Sequence, residues 1–210
     1  MASATDAGRV RERNEDCVAI DAAQGIALLA DGMGGYNAGD VASGMAVALL
    51  QQNLTARLAT PLLPGQTWEA LVRDAVAIAN AAVCRAALAD PKLENMGTTL
   101  VMAMFRDNHI VCAHIGDSRL YRLRDDQFEQ LTRDHSFFQE QIDQGTLSGH
   151  EPAYLQHKNL VTRALGVDPQ VEVDVSTYPA LVDDIYLLCS DGLSDMASAE
   201  DIRDTIALKR

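Results

Sequence analysis

A chain of 210 residues is long enough for one domain with a sizeable buried core. Its 17 Lys and Arg stand against 30 Asp and Glu, a net charge of −13, which excludes the basic footprint of a nucleic-acid or anionic-membrane binder. No apolar run approaches a membrane span, MASATDAGRVRERNED lacks an apolar signal-peptide core, and Cys17, Cys84, Cys112 and Cys189 form no C-x-x-C pair. A cytoplasmic enzyme with reduced, buried thiols is expected.

In chain order, Val-, Ile- and Leu-rich runs predict strands at about 16–21 (DCVAID) and 26–30 (IALLA). Two long helices follow. The first covers about 38–58, with Val41, Met45, Ala48 and Leu49 at helical spacing, and the second about 67–90, with Trp68, Leu71, Ala75, Ile78 and Ala82. TPLLPG breaks the chain between them. Further strands are predicted at about 98–105, 109–115, 119–124, 128–132, 171–176 and 185–189. Ser136–Gln144 reads as helical and opens an irregular stretch, 135–158, that reads as an excursion over the scaffold. Hairpin, helix pair and then a run of strands does not alternate as a doubly wound sheet would, so an α+β layered sandwich is expected.

The informative feature is where the aspartates fall. An antiparallel hairpin of the first two strands brings Asp16 and Asp31 to one end, and the hairpin over 98–115 does the same for Thr98 and Asp117. Asp191 also follows an apolar strand, and Asp31-Gly32, Gly116-Asp117 and Asp191-Gly192 each place an acid beside a glycine, where a backbone can approach closely. Clustered carboxylates repel one another and call for cations, and an all-oxygen ligand set selects the hard ions Mg²⁺ or Mn²⁺. Two such ions activate water and clamp the oxygens of an in-line phosphoryl displacement. Arg11, five residues before Asp16, offers a bidentate phosphate fork. Taken singly, each Asp-Gly reads equally as a turn, Asp16 as a strand-entry residue, Asp117 as a turn cap and Arg11 as a solvated charge. The coincidence of several carries the reading.

Other phosphate motifs fail. Gly34 to Gly39 has the outline of a Walker loop, but Asp40 and Val41 stand where Lys and Ser or Thr are needed. Cys112 to Arg119 is one residue too long for a C-x₅-R loop, and its cysteine sits inside an apolar strand. Among the histidines only His135, in TRDHS, sits beside a polar loop suggestive of a site.

Taken together, TDAGRVRERNEDC, LLADGMGGYNAGDVAS, MGTTLV, AHIGDSRLYRLR, LTRDHS, NLVTRALG and LLCSDGLSDM resemble the metal-dependent protein serine/threonine phosphatases, the PPM or type 2C family, in its bacterial branch. The resemblance spans nearly the whole chain. It implies a four-layer α-β-β-α sandwich of two antiparallel sheets flanked by helices, in one domain over 1–210 with a flap at about 136–158. It further implies two metal ions, and in bacterial members a third. Asp31 matches the bridging ligand, Gly32 a ligand through its carbonyl, Asp191 the second aspartate ligand, and Asp16 the acid that holds metal-bound water. Arg11 matches the phosphate-binding arginine, and Asp117 the position that holds a third ion with Asp191. The implied partners are phosphoserine or phosphothreonine proteins and a cognate serine/threonine kinase, with the enzyme acting as a monomer.

Two departures from the family pattern are visible. Tyr36 stands where many bacterial relatives carry His, and no counterpart of the family's closing G-x-x-D-N-x-T strand follows Asp191. The expectation is therefore a phosphatase lacking its last strand, with a pseudophosphatase or a phosphoprotein-binding module of a partner-switching system as alternatives.

Overall fold

The computed structural model describes residues 1–9, 13–34, 38–146 and 160–208. Nine strands are seen among them: β1 (Asp16–Asp21), β2 (Ile26–Met33), β3 (Gly97–Thr98), β4 (Leu100–Arg106), β5 (His109–Ile115), β6 (Arg119–Arg124), β7 (Gln127–Gln130), β8 (Asp174–Pro179) and β9 (Ile185–Cys189). The helices are α1 (Ala38–Leu58), α2 (Trp68–Ala89), α3 (Phe137–Asp143), α4 (Asp191–Ser194) and α5 (Ala199–Ala207).

The strands form two antiparallel sheets. The larger runs β1-β2-β4-β5-β8, with β3 added to β2, and the smaller runs β7-β6-β9. Tight turns set the registers. Asp107 and Asn108 between β4 and β5, and Asp125 and Asp126 between β6 and β7, all have positive φ of 45–64°. Two successive left-handed residues make the turn whose twist matches a hairpin, and Asp and Asn tolerate it better than other side-chain-bearing residues.

The larger sheet is buried on both faces, which explains the unbroken apolar run LVMAMF in β4. One face, with Leu28, Leu100, Met102, Met104 and Ala113, packs under α1 and α2; the other, with Leu29, Val101, Ala103 and Cys112, meets Leu120, Tyr186 and Leu188 of the smaller sheet. The α+β sandwich of two antiparallel sheets with helices is thus as expected.

Several details correct the sequence reading. The expected strand at 98–105 is two, β3 and β4, interrupted at Thr99, and β8 lies three residues later than anticipated. The face α1 buries most deeply is Ala42, Ala46, Val47, Leu50 and Leu54; Val41, Met45 and Leu49 flank it and Ala48 is exposed. At the start of the helix Ala42 and Ala46 let it lie close to the sheet, and Val41 and Met45 fall at its margins. In α2, Leu71 and Ala75 are buried as expected, but Ile78 is 42% exposed and Val72, Val76, Ala79 and Val83 fill the core.

Candidate metal centre

Asp16 and Asp31 are register partners across the β1–β2 ladder. The hairpin therefore places the two half-buried carboxylates side by side, as the sequence led one to expect, although Asp31 and Gly32 lie within β2 rather than after it. A third acid joins through Ser190, whose hydroxyl donates to Asp16 Oδ2 at 2.9 Å and whose neighbour Asp191 begins α4. Asp117 follows β5 in a loop, and burial, then the charges of Asp191 and Asp134, push its carboxyl up to about 6. A carboxyl held high by burial and by neighbouring acids is what a divalent cation relieves, so this donor set fits a hard metal ion.

The backbone around these acids is over-determined. Asp31 N–H donates to Thr99 Oγ1 at 3.0 Å, and Asp31 C=O accepts from Thr99 N–H and from Thr98 Oγ1, both at 2.9 Å. Thr99 Oγ1 also lies 2.7 Å from Ser118 Oγ, which ties the Asp31 strand to the Asp117 loop. Gly32 N–H donates to Glu15 C=O at 3.1 Å, and a Cβ on Gly32 would lie 1.9 Å from Gly39 C=O in the first turn of α1. Glycine is the residue that lets α1 sit this close. Asp40, in the same turn, carries a buried Oδ1 without a hydrogen-bond partner among the described residues. A buried acceptor of that kind suits a site that binds cations or water.

Next to the Asp117 loop, Arg119 is gripped by Asp134, with Nε at 3.0 Å from both carboxylate oxygens and Nη2 at 2.6 Å from Oδ2. Thr99, Ser118, Ser190 and Asp134 escaped the sequence reading. Short polar residues at strand ends and in turns look like ordinary turn-formers, and only the fold reveals what they hold. Arg11 and Tyr36, and the flap beyond Thr146 up to residue 158, lie outside the described residues.

No cysteine competes as nucleophile. Burial raises all four thiols, Cys112 to about 12, and so disfavours the thiolate. Among the described residues the group of three potential metal-ligating side chains whose ligand atoms come within 4.8 Å of one another is a different one: His114, His135 and Asp174. Its imidazoles are stacked 4.7 Å apart at 19°, so their in-plane lone pairs run in nearly parallel planes instead of converging on one point. Hydrogen bonding, and not coordination, is the use this trio suits.

No helix among the described residues is long and apolar enough to cross a membrane. Comparison with known proteins gives the family. The family model for protein phosphatase 2C matches residues 7–208. The serine/threonine phosphatase stp of Listeria welshimeri is 40% identical over 209 residues, covering 98% of this chain and 82% of that protein. The crystal structure of the Mycobacterium tuberculosis serine/threonine phosphatase PstP/Ppp superposes with a TM-score of 0.87 at 38% identity, over 98% of this chain and 83% of that one. The catalytic domain of PstP, solved in complex with two manganese ions, gives a TM-score of 0.84 at 38% identity, with the same coverage of 98% and 83%. With Asp16 and Asp31 paired at a strand edge of a two-sheet sandwich and a family match over almost its full length, the chain belongs to the protein phosphatase 2C family of serine/threonine phosphatases.

Proposed function

We propose that the chain removes phosphate from phosphoserine and phosphothreonine in proteins, at a centre of two and in some states three Mn²⁺ or Mg²⁺ ions built on Asp31, Gly32, Asp191, Asp16 and Asp117. The observation that carries this reading is the cross-strand pair Asp16 and Asp31, joined through Ser190 to the start of α4 at Asp191. At such a centre the ions supply Lewis acidity and make water a nucleophile at neutral pH.

The chain's own groups divide the remaining work. Asp31 and Asp191, with the carbonyl of Gly32, hold the ions. Asp16, oriented by Ser190, directs the attacking water. Arg11 grips the phosphate oxygens as a bidentate fork. Asp117 passes from carboxylic acid to carboxylate as a cation joins it, releasing a proton below about pH 6. Residues 1–210 act as one monomeric domain. The acidic surface supports a soluble signalling enzyme of the bacterial cytoplasm, working against a serine/threonine kinase.

Hydrolysis of p-nitrophenyl phosphate with and without Mn²⁺ tests the ligand assignment. Asp31→Asn and Asp191→Asn should each lower Mn²⁺-dependent turnover by on the order of 100-fold or more while leaving the circular dichroism spectrum intact. Turnover retained in both would refute the assignment.

A further inference from the structure

We propose that His135 is a positioning residue that locks the Asp117 loop to β8 and to the chain returning from the flap. The inference rests on the reading of Asp117 as a ligand. Gly116 and His135 exchange two hydrogen bonds: His135 N–H donates to Gly116 C=O at 2.9 Å, and Gly116 N–H donates to His135 Nδ1 at 3.2 Å. A backbone amide can only donate, so Nδ1 is the acceptor and Nε2 carries the ring hydrogen. That hydrogen is directed at Asp174 Oδ2, 3.2 Å away at the start of β8.

The remaining surroundings hold the imidazole in this orientation. His135 is 7% exposed, and its ring is stacked on His114, whose Nε2 lies 2.8 Å from Arg133 C=O. Asp174 is flanked by Arg163 Nη1 at 3.6 Å. Burial alone would raise the Asp174 carboxyl, but the hydrogen bond from His135, with the Arg163 guanidinium nearby, holds it below its ordinary value. An ionised acceptor strengthens the bond that fixes the ring.

Gly116 has φ of +95°, and a Cβ there would come within 2.7 Å of Thr99 Cγ2. The orientation of this glycine, and with it the placement of Asp117, is therefore set by what its amide and carbonyl bond to, and both bond to His135. On its other side the His135 carbonyl accepts from Thr162 N–H at 2.8 Å, Ser136 bridges to Val161, and Phe137 N–H donates to Leu160 C=O at 2.8 Å. One histidine thus joins the Asp117 loop, β8 and the root of the flap.

Two substitutions separate the functions of the two ring nitrogens. In His135→Asn the carboxamide stands in for Nδ1 and still accepts from Gly116, whereas in His135→Gln it reaches the place of Nε2 and serves only Asp174. Titration calorimetry of the metal-free 210-residue chain with Mn²⁺ should show the weakest site lowered about 10- to 100-fold in affinity by His135→Gln and left near wild type by His135→Asn. Nitrogen-15 spectra of the wild-type imidazoles should show His135 as the Nε2–H tautomer. An Nδ1–H tautomer, or equal Mn²⁺ binding by the two variants, would overturn the proposal. A wild-type chain that binds Mn²⁺ yet hydrolyses no phosphoester would refute the proposed function and leave this inference standing.

Discussion

Asp31 is fixed by a neighbour that carries no charge. Thr99 accepts from the Asp31 amide, shares a bond with Ser118 and donates its own amide to the Asp31 carbonyl, and it is 1% exposed. Thr99→Val keeps the shape but removes the hydroxyl to which both the Asp31 amide and the buried Ser118 hydroxyl bond. It should cost about 1–3 kcal/mol in urea unfolding and weaken Mn²⁺ binding, while Thr99→Ser should recover most of both. Unchanged stability and metal binding in the valine variant would show that Asp31 is held by other means. The sequence drew attention to Asp31, Asp117 and Asp191 because an acid beside a glycine at a strand end stands out from its surroundings, and to Asp16 because a hairpin register sets it opposite Asp31. Thr99 was hidden, since in MGTTLV it reads as a β-branched strand residue and its role depends on a partner 68 positions away.

At the scale of elements, α1 and β2 are held together by the absence of side chains. A methyl on Gly32 would meet backbone atoms of Gly39 at 1.9 and 2.3 Å, whereas one on Gly44, in the middle of α1, meets nothing within 4 Å. Gly32→Ala should therefore destabilise by about 3 kcal/mol or more and disturb the metal centre. Gly44→Ala should stabilise by about 0.5–1 kcal/mol, because helical glycine sacrifices more backbone entropy on folding than alanine. Paired urea midpoints check both signs, and a neutral Gly32→Ala would contradict the described closeness of α1 to β2. The periodicity of α1 was legible but its buried face was not. Hydrophobicity pointed to Val41, Met45 and Leu49, while close approach to the sheet selected Ala42 and Ala46.

Across the whole molecule nearly every element could be foreseen, because apolar runs and turn residues declare themselves locally, whereas the division into two sheets was implied by the family resemblance. The ion pairs that join distant elements could not be foreseen. Arg124 of β6 grips Asp184, just before β9, through Nε and Nη2 at 2.7 Å each, and Tyr186 Oη donates to the same carboxylate at 2.9 Å. The Arg124 guanidinium foremost, with the Leu181 amide and the Tyr186 hydroxyl, holds the Asp184 carboxyl well below its ordinary range. A depressed carboxylate contributes stability above its unfolded pKa of about 4 and loses it as pH falls through the folded value. Asp184→Asn should lower the melting temperature at pH 7 and make its decline below about pH 4 shallower than in wild type. Parallel acid limbs in the two proteins would show that the pair adds nothing.

The central claim, that these strand-edge aspartates form a phosphatase metal centre, is tested most directly by phosphate release from phosphoserine and phosphothreonine peptides. The 210-residue chain should release phosphate with Mn²⁺ present, lose that activity on chelation and regain it when Mn²⁺ is restored, and Asp31→Asn should stay inactive throughout. Release that is indifferent to chelation, or equal in wild type and Asp31→Asn, would contradict the account.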